Sequence, residues 1–562
     1  MWRFCQRPGR DAGAGRVGRA IAGGFFLVLA VTVTQAVTGM SPAAARSTPL
    51  PSGAASDTLL AWGDGGDDDG KLGDGTTSSR SAPVAVSLPS DTEVTAIAAG
   101  DSHSLALTST GTVLAWGDNN DGKLGDGTTT SRSTPVTVSL PSDTEVTAIA
   151  AGDSHSLALT STGTVLAWGD NNDGKLGDGT TTSRSTPAAV SLPPDTTITA
   201  IAATSDHSLA LTSTGTVLAW GENNDNKLGD GTFTSRSTPV TVNLPPDIKV
   251  TAIAAGFDHS LALTSTGTVV AWGENFGKLG DGTTSSRTAP VAVSLPPDTE
   301  VTAIAAGDNH SLALTSTGTV LAWGSNSEGQ VGDGTTSRRR SAPVTVDLPP
   351  GTTITAITGG RSHSLAVTST GTALAWGENV SGQLGDGTTT NRSTPVTVDL
   401  PPATTITAVA AGDAHSLALT APPPVSTTTL QVTPTNPAAD QDITLTATVT
   451  CNVDTPTGAI TFRSNTTTLT TTPLTTTATH TTTLPPGTHT ITAHYASTNT
   501  CPSSQSTPVS LTVAPPPEEP DEPGLPITGL NMTTTIGAAA LSILAGVILS
   551  YAARRRPLHG AR

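Results

Sequence analysis

Seven of the eleven histidines fall at His103, His155, His207, His259, His310, His363 and His415, spaced 51–53 residues apart. Histidine suits both acid–base work near neutral pH and metal ligation. One His per repeat spreads the imidazoles around an array, so they do not converge as a tetrahedral ligand set. The spacing therefore predicts structural histidines, each hydrogen-bonded to backbone within its own unit, as buried polar groups generally are. A second candidate is Asp118-Asn119-Asn120-Asp121-Gly122, whose oxygen-rich side chains suit calcium. Its Gly comes one place too early for a calcium loop, and no Glu closes it at the twelfth position. Asx and Gly also build ordinary tight turns. Each unit carries an Arg in its long loop, as at Arg80, Arg132, Arg184 and Arg236. Beside several Asp, such an Arg is expected to form a surface ion pair of little weight. The array has no Cys, no G-x-S-x-G elbow and no phosphate-cradling loop. No catalytic residue, metal or cofactor is predicted.

The elements that carry these residues repeat. Seven of the eight tryptophans, Trp62, Trp116, Trp168, Trp220, Trp272, Trp323 and Trp376, share the histidine period. A period near 52 is close to the blade length of propeller repeats. One unit shows four short strand signals: Val113–Trp116, Pro135–Leu140, Glu145–Ala150 and His155–Thr160. Each is bounded by Gly, Pro, Asp or Ser, and no window has a helical period. Four strands, seven times, predict an all-β, seven-bladed propeller over 57–420. Leu59–Trp62 has no upstream partner strand, and His415–Thr420 has no downstream one. Pairing these two orphans would close the ring and remove two exposed edges. The Trp is expected to pack the blade.

Trp116-Gly117-Asp118-Asn119-Asn120-Asp121-Gly122-Lys123-Leu124-Gly125-Asp126-Gly127 resembles the W-G-x-N-x-x-G-Q-L-G-x-G core of the regulator of chromosome condensation repeat. Ala150-Ala151-Gly152-Asp153-Ser154-His155-Ser156-Leu157 is similar to its A-x-G-x-x-H-S segment. Lys replaces the family's Gln in the first five units, while Gln330 and Gln383 keep it; the first loop, Asp64 to Gly70, is two residues longer. The resemblance implies a rigid disc with variable loops. The nucleotide-exchange and chromatin roles of some relatives are not expected to transfer, because fold does not imply function.

From Thr427 to Ala514 the pattern changes to seven short strand signals: Thr429–Thr433, Ile443–Cys451, Ala459–Arg463, Thr467–Thr472, Ala478–Leu484, Thr488–Ala496 and Pro508–Val513. These suggest an immunoglobulin-like β-sandwich over 427–514. Pro456-Thr457-Gly458-Ala459-Ile460-Thr461-Phe462 and the segment from Pro485 to Tyr495 resemble bacterial immunoglobulin-like repeats. Cys451 and Cys501 both lie here, and in an exported protein they favour a disulfide. A Pro-rich acidic stalk is read over 515–524.

The ends read as transport signals. Residues 1–45 carry five arginines, an apolar stretch from Ala20 to Val37, and the small-residue site Ala43-Ala44-Ala45, the pattern of a signal peptide. At the other end, Leu525-Pro526-Ile527-Thr528-Gly529 precedes an apolar stretch at about 535–553 and Arg554-Arg555-Arg556. Such a stretch is long enough for a transmembrane helix, and the arginines fix its end on the cytoplasmic side. Taken together, 525–562 resembles the cell-wall sorting signal of Gram-positive surface proteins. The resemblance implies that a sortase cuts between Thr528 and Gly529 and that Thr528 becomes joined to peptidoglycan.

The full chain has a net charge of -18 and 3% aromatic residues. That balance excludes the basic footprint of a nucleic-acid binder and the stacking rings of a single-strand binder. Removing five Arg and one Asp with the signal, and four Arg with the tail, leaves 18 basic against 44 acidic residues, a net charge of -26. The expectation is a secreted, wall-anchored surface protein whose propeller binds an unknown protein ligand, as in adhesion. The rivals are a propeller enzyme acting on wall or host polymers and a structural wall component without a ligand. Near-identical units predict a rotationally uniform surface. An asymmetric pocket would favour catalysis, and a flat repeated face would favour binding or scaffolding.

Overall fold

The computed structural model describes residues 59–66 and 69–516. The signal peptide at 1–45, the stalk beyond Pro516, Leu525–Gly529 and the apolar stretch at 535–553 lie outside the described residues. Every regular element described is a β-strand. Among the described residues no helix is long and apolar enough to cross a membrane. The chain divides after Pro423 into two compact units.

The first unit consists of seven four-stranded antiparallel sheets. In the first blade the strands run Val94–Ala99, His103–Thr108, Val113–Gly117 and Arg132–Thr137, from the central channel outward. Blades two to six repeat this order, starting at Val146, Ile198, Val250, Val301 and Ile354. The seventh blade joins the two ends of the array: Ile406–Ala411 and His415–Thr420 supply its inner half, Leu59–Gly63 and Arg80–Ala85 its outer half. Leu60 pairs with Ala418 and Gly63 with His415, so the two orphan strands close the ring.

The outermost strand sits earlier than the sequence pattern suggests, at Arg132–Thr137 rather than Pro135–Leu140. On an edge strand Pro135 is tolerated, because one side of the strand needs no ladder donor. Val138 and Ser139 instead leave the strand and donate their N–H groups to Val113 O and Gly125 O. The second and third strands are buried along their whole length. The core lies between blades: Leu105, Leu107, Val113 and Ala115 of the first blade pack against Ile149, Ala158, Leu166 and Trp168 of the second.

A polar lock fixes each of these interfaces. His103 Nε2 meets Ser156 Oγ of the next blade at 2.8 Å. Ser156 Oγ donates onward to Lys123 O at 2.9 Å, and Trp168 Nε1 donates to the same carbonyl at 2.8 Å. The hydroxyl has one proton and gives it to the carbonyl, so His103 is the donor through Nε2–H. The seventh interface closes identically: His415 Nε2 lies 2.9 Å from Ser104 Oγ, and Ser104 and Trp116 both donate to Lys71 O. The histidines are thus structural, but they bond a serine across the blade boundary rather than backbone within the blade. A side chain leaving the fully buried second strand finds its own ladder carbonyls already paired, and the neighbouring blade's hydroxyl within reach. All seven Trp are fully buried and pack the interface as well as donating across it.

The second unit is a two-sheet sandwich. One sheet holds Ser426–Thr433, Ile443–Cys451 and Thr477–Thr482; the other holds Gly458–Ser464, Thr467–Leu474, Gly487–Ser497, Ser504–Gln505 and Val509–Val513. All seven expected strands are present, and the two-residue strand Ser504–Gln505 is additional. Ile443, Leu445, Ala447 and Val449 alternate inward against Ile460, Phe462, Ile491 and Tyr495, the period-two pattern of a half-buried sheet. Cys451 and Cys501 are joined as a disulfide with their Cα atoms 6.0 Å apart.

The lock predicts the cost of breaking it. Ser156→Ala leaves the buried Nε2–H of His103 without an acceptor and removes one of two donors to Lys123 O. It should cost about 1–3 kcal/mol, measured by denaturant unfolding of the first unit. The hairpin substitution Ser109→Ala, at an exposed position, should stay within about 0.5 kcal/mol.

Candidate functional site at the channel mouth

Each innermost strand ends in a small residue and turns into the second strand through a short segment ending in the repeated His. Seven such turns ring one mouth of the channel. The turn begins with Gly in six blades, because a side chain there would strike the neighbouring blade. A Cβ on Gly152 would lie 2.2 Å from Thr204 O, and one on Gly100 would lie 2.8 Å from His103 Nδ1. The third blade has Thr204 instead, and its N–H to His207 O distance lengthens to 3.3 Å, against 2.9 Å for Gly152 N to His155 O.

The next position lines the channel in every blade but the third, and there the repeat breaks down. From the first blade to the seventh it is Asp101, Asp153, Ser205, Phe257, Asp308, Arg361 and Asp413. These turns, with the alanines beneath them, enclose a cavity of about 440 Å³. Arg361 lies 3.4 Å from Asp413. Among the described residues Asp101, Asp153 and Asp308 have no cationic partner in contact. Burial, then the Asp413 charge, pushes Asp308 up to about 7. Burial, then the Asp413 carboxylate beside it, raises Asp101 to about 6. Asp153 is raised as well, by burial and by the other mouth carboxylates.

One position further on, the acids are paired. Asp206 takes Lys175 at 2.8 Å, and Asp258 takes Lys227 at 3.3 Å and Lys278 at 3.6 Å. These lysines belong to the long loop after the third strand, which opens on the same face. Their ammonium groups are nearly inaccessible and also meet Asp170, Glu222 and Glu274 in their own loops. Burial alone would lower Lys227, but the Glu222 hydrogen bond and the charges of Asp258 and Glu222 more than offset it, so it stays ammonium. Asn119 folds this loop back on itself: its Nδ2 donates to Thr128 O and Thr130 O, and its Oδ1 accepts from Leu124 N.

The Asp118–Gly122 run therefore does structural work. Asp118 pairs with Lys123, and among the described residues no cluster of His, Cys, Asp or Glu is arranged to hold a metal ion. The loop arginines are better held than expected. Arg80 and its counterparts make a two-nitrogen contact to a nearly inaccessible Asp, as with Arg80 Nε and Nη2 on Asp74 at 3.0 and 2.7 Å. The long first loop holds its own lysine, Asp64 to Lys71 at 2.7 Å, and none of its described residues lines the mouth.

On the opposite face the six hairpins between the second and third strands are uniform, from Ser109-Thr110-Gly111 to Ser369-Thr370-Gly371, whereas the loops into the innermost strands vary, with Glu145, Thr197 and Lys249 at one matching position. The expected rotational uniformity holds at those hairpins and fails at the mouth. The signal was present in the sequence as the two residues before each repeated His: Asp-Ser, Asp-Ser, Ser-Asp, Phe-Asp, Asp-Asn, Arg-Ser and Asp-Ala.

Residues 58–418, most of the chain, match the family profile described as the RCC1-like domain. The chain belongs to the RCC1-like domain family. Residues 430–514 match the bacterial Ig-like domain, group 3. The RCC1-like part is 32% identical over 362 residues to the ultraviolet-B receptor UVR8 of Arabidopsis thaliana, covering 64% of this chain and 81% of the receptor. It is 35% identical over 338 residues to the human E3 ubiquitin-protein ligase HERC2, covering 58% of this chain but 7% of the ligase. Among solved structures, Prp20p of Saccharomyces cerevisiae superposes with a TM-score of 0.59 at 27% identity, covering 66% of this chain and 92% of Prp20p.

The RCC1-like propeller carries two opposed proton linkages. Burial holds the lock histidines below their ordinary value, to about 4 for His310 and about 3 for His155 and His363. The unfolded chain therefore binds more protons below pH 6.5, and the histidines withdraw stability as pH falls from there towards 3. Asp101 and Asp308 are raised, so between about pH 4 and 7 the folded chain binds more protons and gains stability as pH falls. Asp308→Asn removes the Asp308 share of the second linkage. It should raise the melting temperature by about 2 °C at pH 8 and lose that advantage by pH 4, where Asp308 is protonated. A pH-independent difference in calorimetric scans would contradict the crowding of charge at the mouth.

Proposed function

We propose that the chain is an exported Gram-positive surface protein, anchored to the wall through Thr528, which presents its RCC1-like propeller for protein binding and adhesion. The observation that carries the binding half is the break in repetition. Chemistry varies at one mouth of a disc whose lock, interblade core and second-to-third-strand hairpins are held nearly constant. Binding residues on loops borne by a rigid scaffold are the usual arrangement. Relatives fit the same use: yeast Prp20p is described by its binding to Gsp1p and histones, and a second yeast structure holds RCC1 with Kap60. The Ig-like unit acts as a spacer. The export and anchoring half rests on the order of sequence signals: leader, propeller, Ig-like unit, Leu525–Gly529, apolar stretch, arginines.

A second reading, a propeller enzyme acting on wall or host polymers, draws on the same asymmetry. A carboxyl kept partly protonated near neutral pH is what a general acid requires, and Asp308, raised to about 7, qualifies. Binding is preferred because the exposed Phe257 adds apolar surface to the same cavity as the acids, which suits a docked segment more than a hydrated polysaccharide. A purely structural wall component would need no such departure from the repeat.

In a sortase-deficient strain the protein should leave the covalently wall-bound fraction, and Thr528→Ala should do the same in the parent strain. Retention in the wall fraction after both changes would sink the anchoring half. The purified protein should bind host matrix or neighbouring cells without releasing soluble fragments from wall polysaccharide; steady fragment release abolished by Asp308→Asn would favour the enzyme.

A further inference from the structure

We infer that the channel mouth docks an Arg or Lys side chain from an extended segment of a partner protein, with the adjoining apolar residue of that segment against Phe257. This rests on the protein-binding reading above and names the chemistry of the partner.

The charge argument is one of unmet demand. In the blades with a loop lysine the fold supplies cations to acids on this face: Asp118 has Lys123, Asp170 and Asp206 share Lys175, and Asp258 has two lysines. Among the described residues Asp153 and Asp308 line the cavity without any side-chain hydrogen bond or ion pair, and Asp101 faces another carboxylate. Crowding like charges in a confined site costs stability. A cation from outside would relieve it, and Arg361 already does so for Asp413. The carboxylates are carried by different blades around the rim, and no close metal cluster forms among the described residues. A cavity of about 440 Å³ falls in the roughly 300–1,000 Å³ range of ligand pockets. It admits a long side chain and excludes a folded domain.

The apolar argument is independent of charge. The propeller has three phenylalanines, Phe233, Phe257 and Phe276. All three are on the mouth face of two adjacent blades, the third and fourth, in turns or long loops. They are 63%, 37% and 62% exposed, where a core residue of this size would be buried. Phe257 lines the same cavity as the acids. The others place apolar surface outward of it in one sector, which gives an extended segment a direction in which to leave. An aromatic ring beside a cation also adds a cation–π attraction.

The test uses the full chain and fluorescein-labelled nonapeptide pools with the central residue fixed as Arg, Lys, Gln or Glu and apolar or small residues flanking it. Anisotropy in physiological salt should show the Arg and Lys pools bound at least tenfold more tightly than the Gln pool. Asp101→Asn with Asp308→Asn should weaken that binding about tenfold, and Phe257→Ala should weaken it severalfold. The control pair Asp143→Asn with Asp195→Asn removes equal charge from exposed loops of the opposite face and should leave binding unchanged. Equal loss in both pairs would reduce the effect to the overall acidity of the chain and overturn the site. Absence of any preference for the Arg and Lys pools, including absence of all binding, also overturns it. Preferential binding of the Gln or Glu pool would overturn the cationic partner while leaving the protein-binding reading standing. Spermidine competing as well as the Arg pool would overturn the peptide source. Unaltered thermal unfolding of each variant in the same buffer confirms that the readout is binding.

Discussion

One backbone carbonyl per blade organises the propeller. The carbonyl of Lys71, Lys123, Lys175, Lys227, Lys278, Gln330 or Gln383 accepts both the indole N–H and the serine hydroxyl of the following blade. The same serine accepts from the preceding blade's histidine. The carbonyl thus satisfies the serine and the tryptophan directly and the histidine Nε2 through the serine, while each of these histidines keeps a buried Nδ1 with no hydrogen-bond partner among the described residues. The arrangement fixes the rotation from each blade to the next. Seven equal steps then close the ring through strands more than 300 residues apart in sequence.

Because the lock uses a main-chain atom, it leaves the side chain of that residue free to differ. The departure from Gln to Lys in five units becomes intelligible on that ground. A buried ammonium requires carboxylates, and each lysine has one in its own loop: Asp64, Asp118, Asp170, Glu222 and Glu274. Where Gln330 stands, the matching position is Ser325, and Gln330 Oε1 accepts from backbone instead. Where Gln383 stands, the position keeps an acid, Glu378, and burial together with Glu328 raises it above the usual carboxylate range. Part of the acidity of the chain is thus internal counter-charge to its lysines and is not available to a partner.

Most of the fold was legible because the repeat supplies seven readings of each feature. Trp and His gave the period, Gly and Pro punctuated the strands, and the lone strands at the ends of the array implied closure. The partner of the histidine was not legible. Ser156 stands directly after His155, so it reads as part of the same strand, whereas the atoms that meet are His103 and Ser156 on different blades. The outermost strand was misplaced because Pro135 reads as a strand starter when it tolerates an edge. The mouth is inconspicuous for a different reason. Along the chain the visible departure is the longer first loop, Asp64 to Gly70, whereas the informative variation is a single position scattered over all seven units. In the linear sequence Asp101 and Asp413 are distant; ring closure makes them neighbours.

That scattering has a physical basis. Residues in the lock and the interblade core touch an adjacent blade, so a substitution there must suit two blades at once. The mouth position follows a turn pressed against the next blade, yet in every blade but the third its own residue lines the channel. It is free of the constraint that keeps the units alike, and it is where chemistry can change without disturbing closure. Charge acts differently at the two scales. The net charge of -18 draws cations from a distance, but screening at physiological salt limits this to about 8 Å and makes it indifferent to which face is approached. Beyond that range it alters the rate of encounter more than the choice of partner. Discrimination has to come from contact, where Asp101, Asp153 and Asp308 are confined in one cavity with Phe257 on its rim. A uniform ring of seven aspartates would attract any cation equally from every direction. Interrupting the ring with Ser205, Phe257 and Arg361 gives the mouth an orientation that the scaffold, by its repetition, does not have.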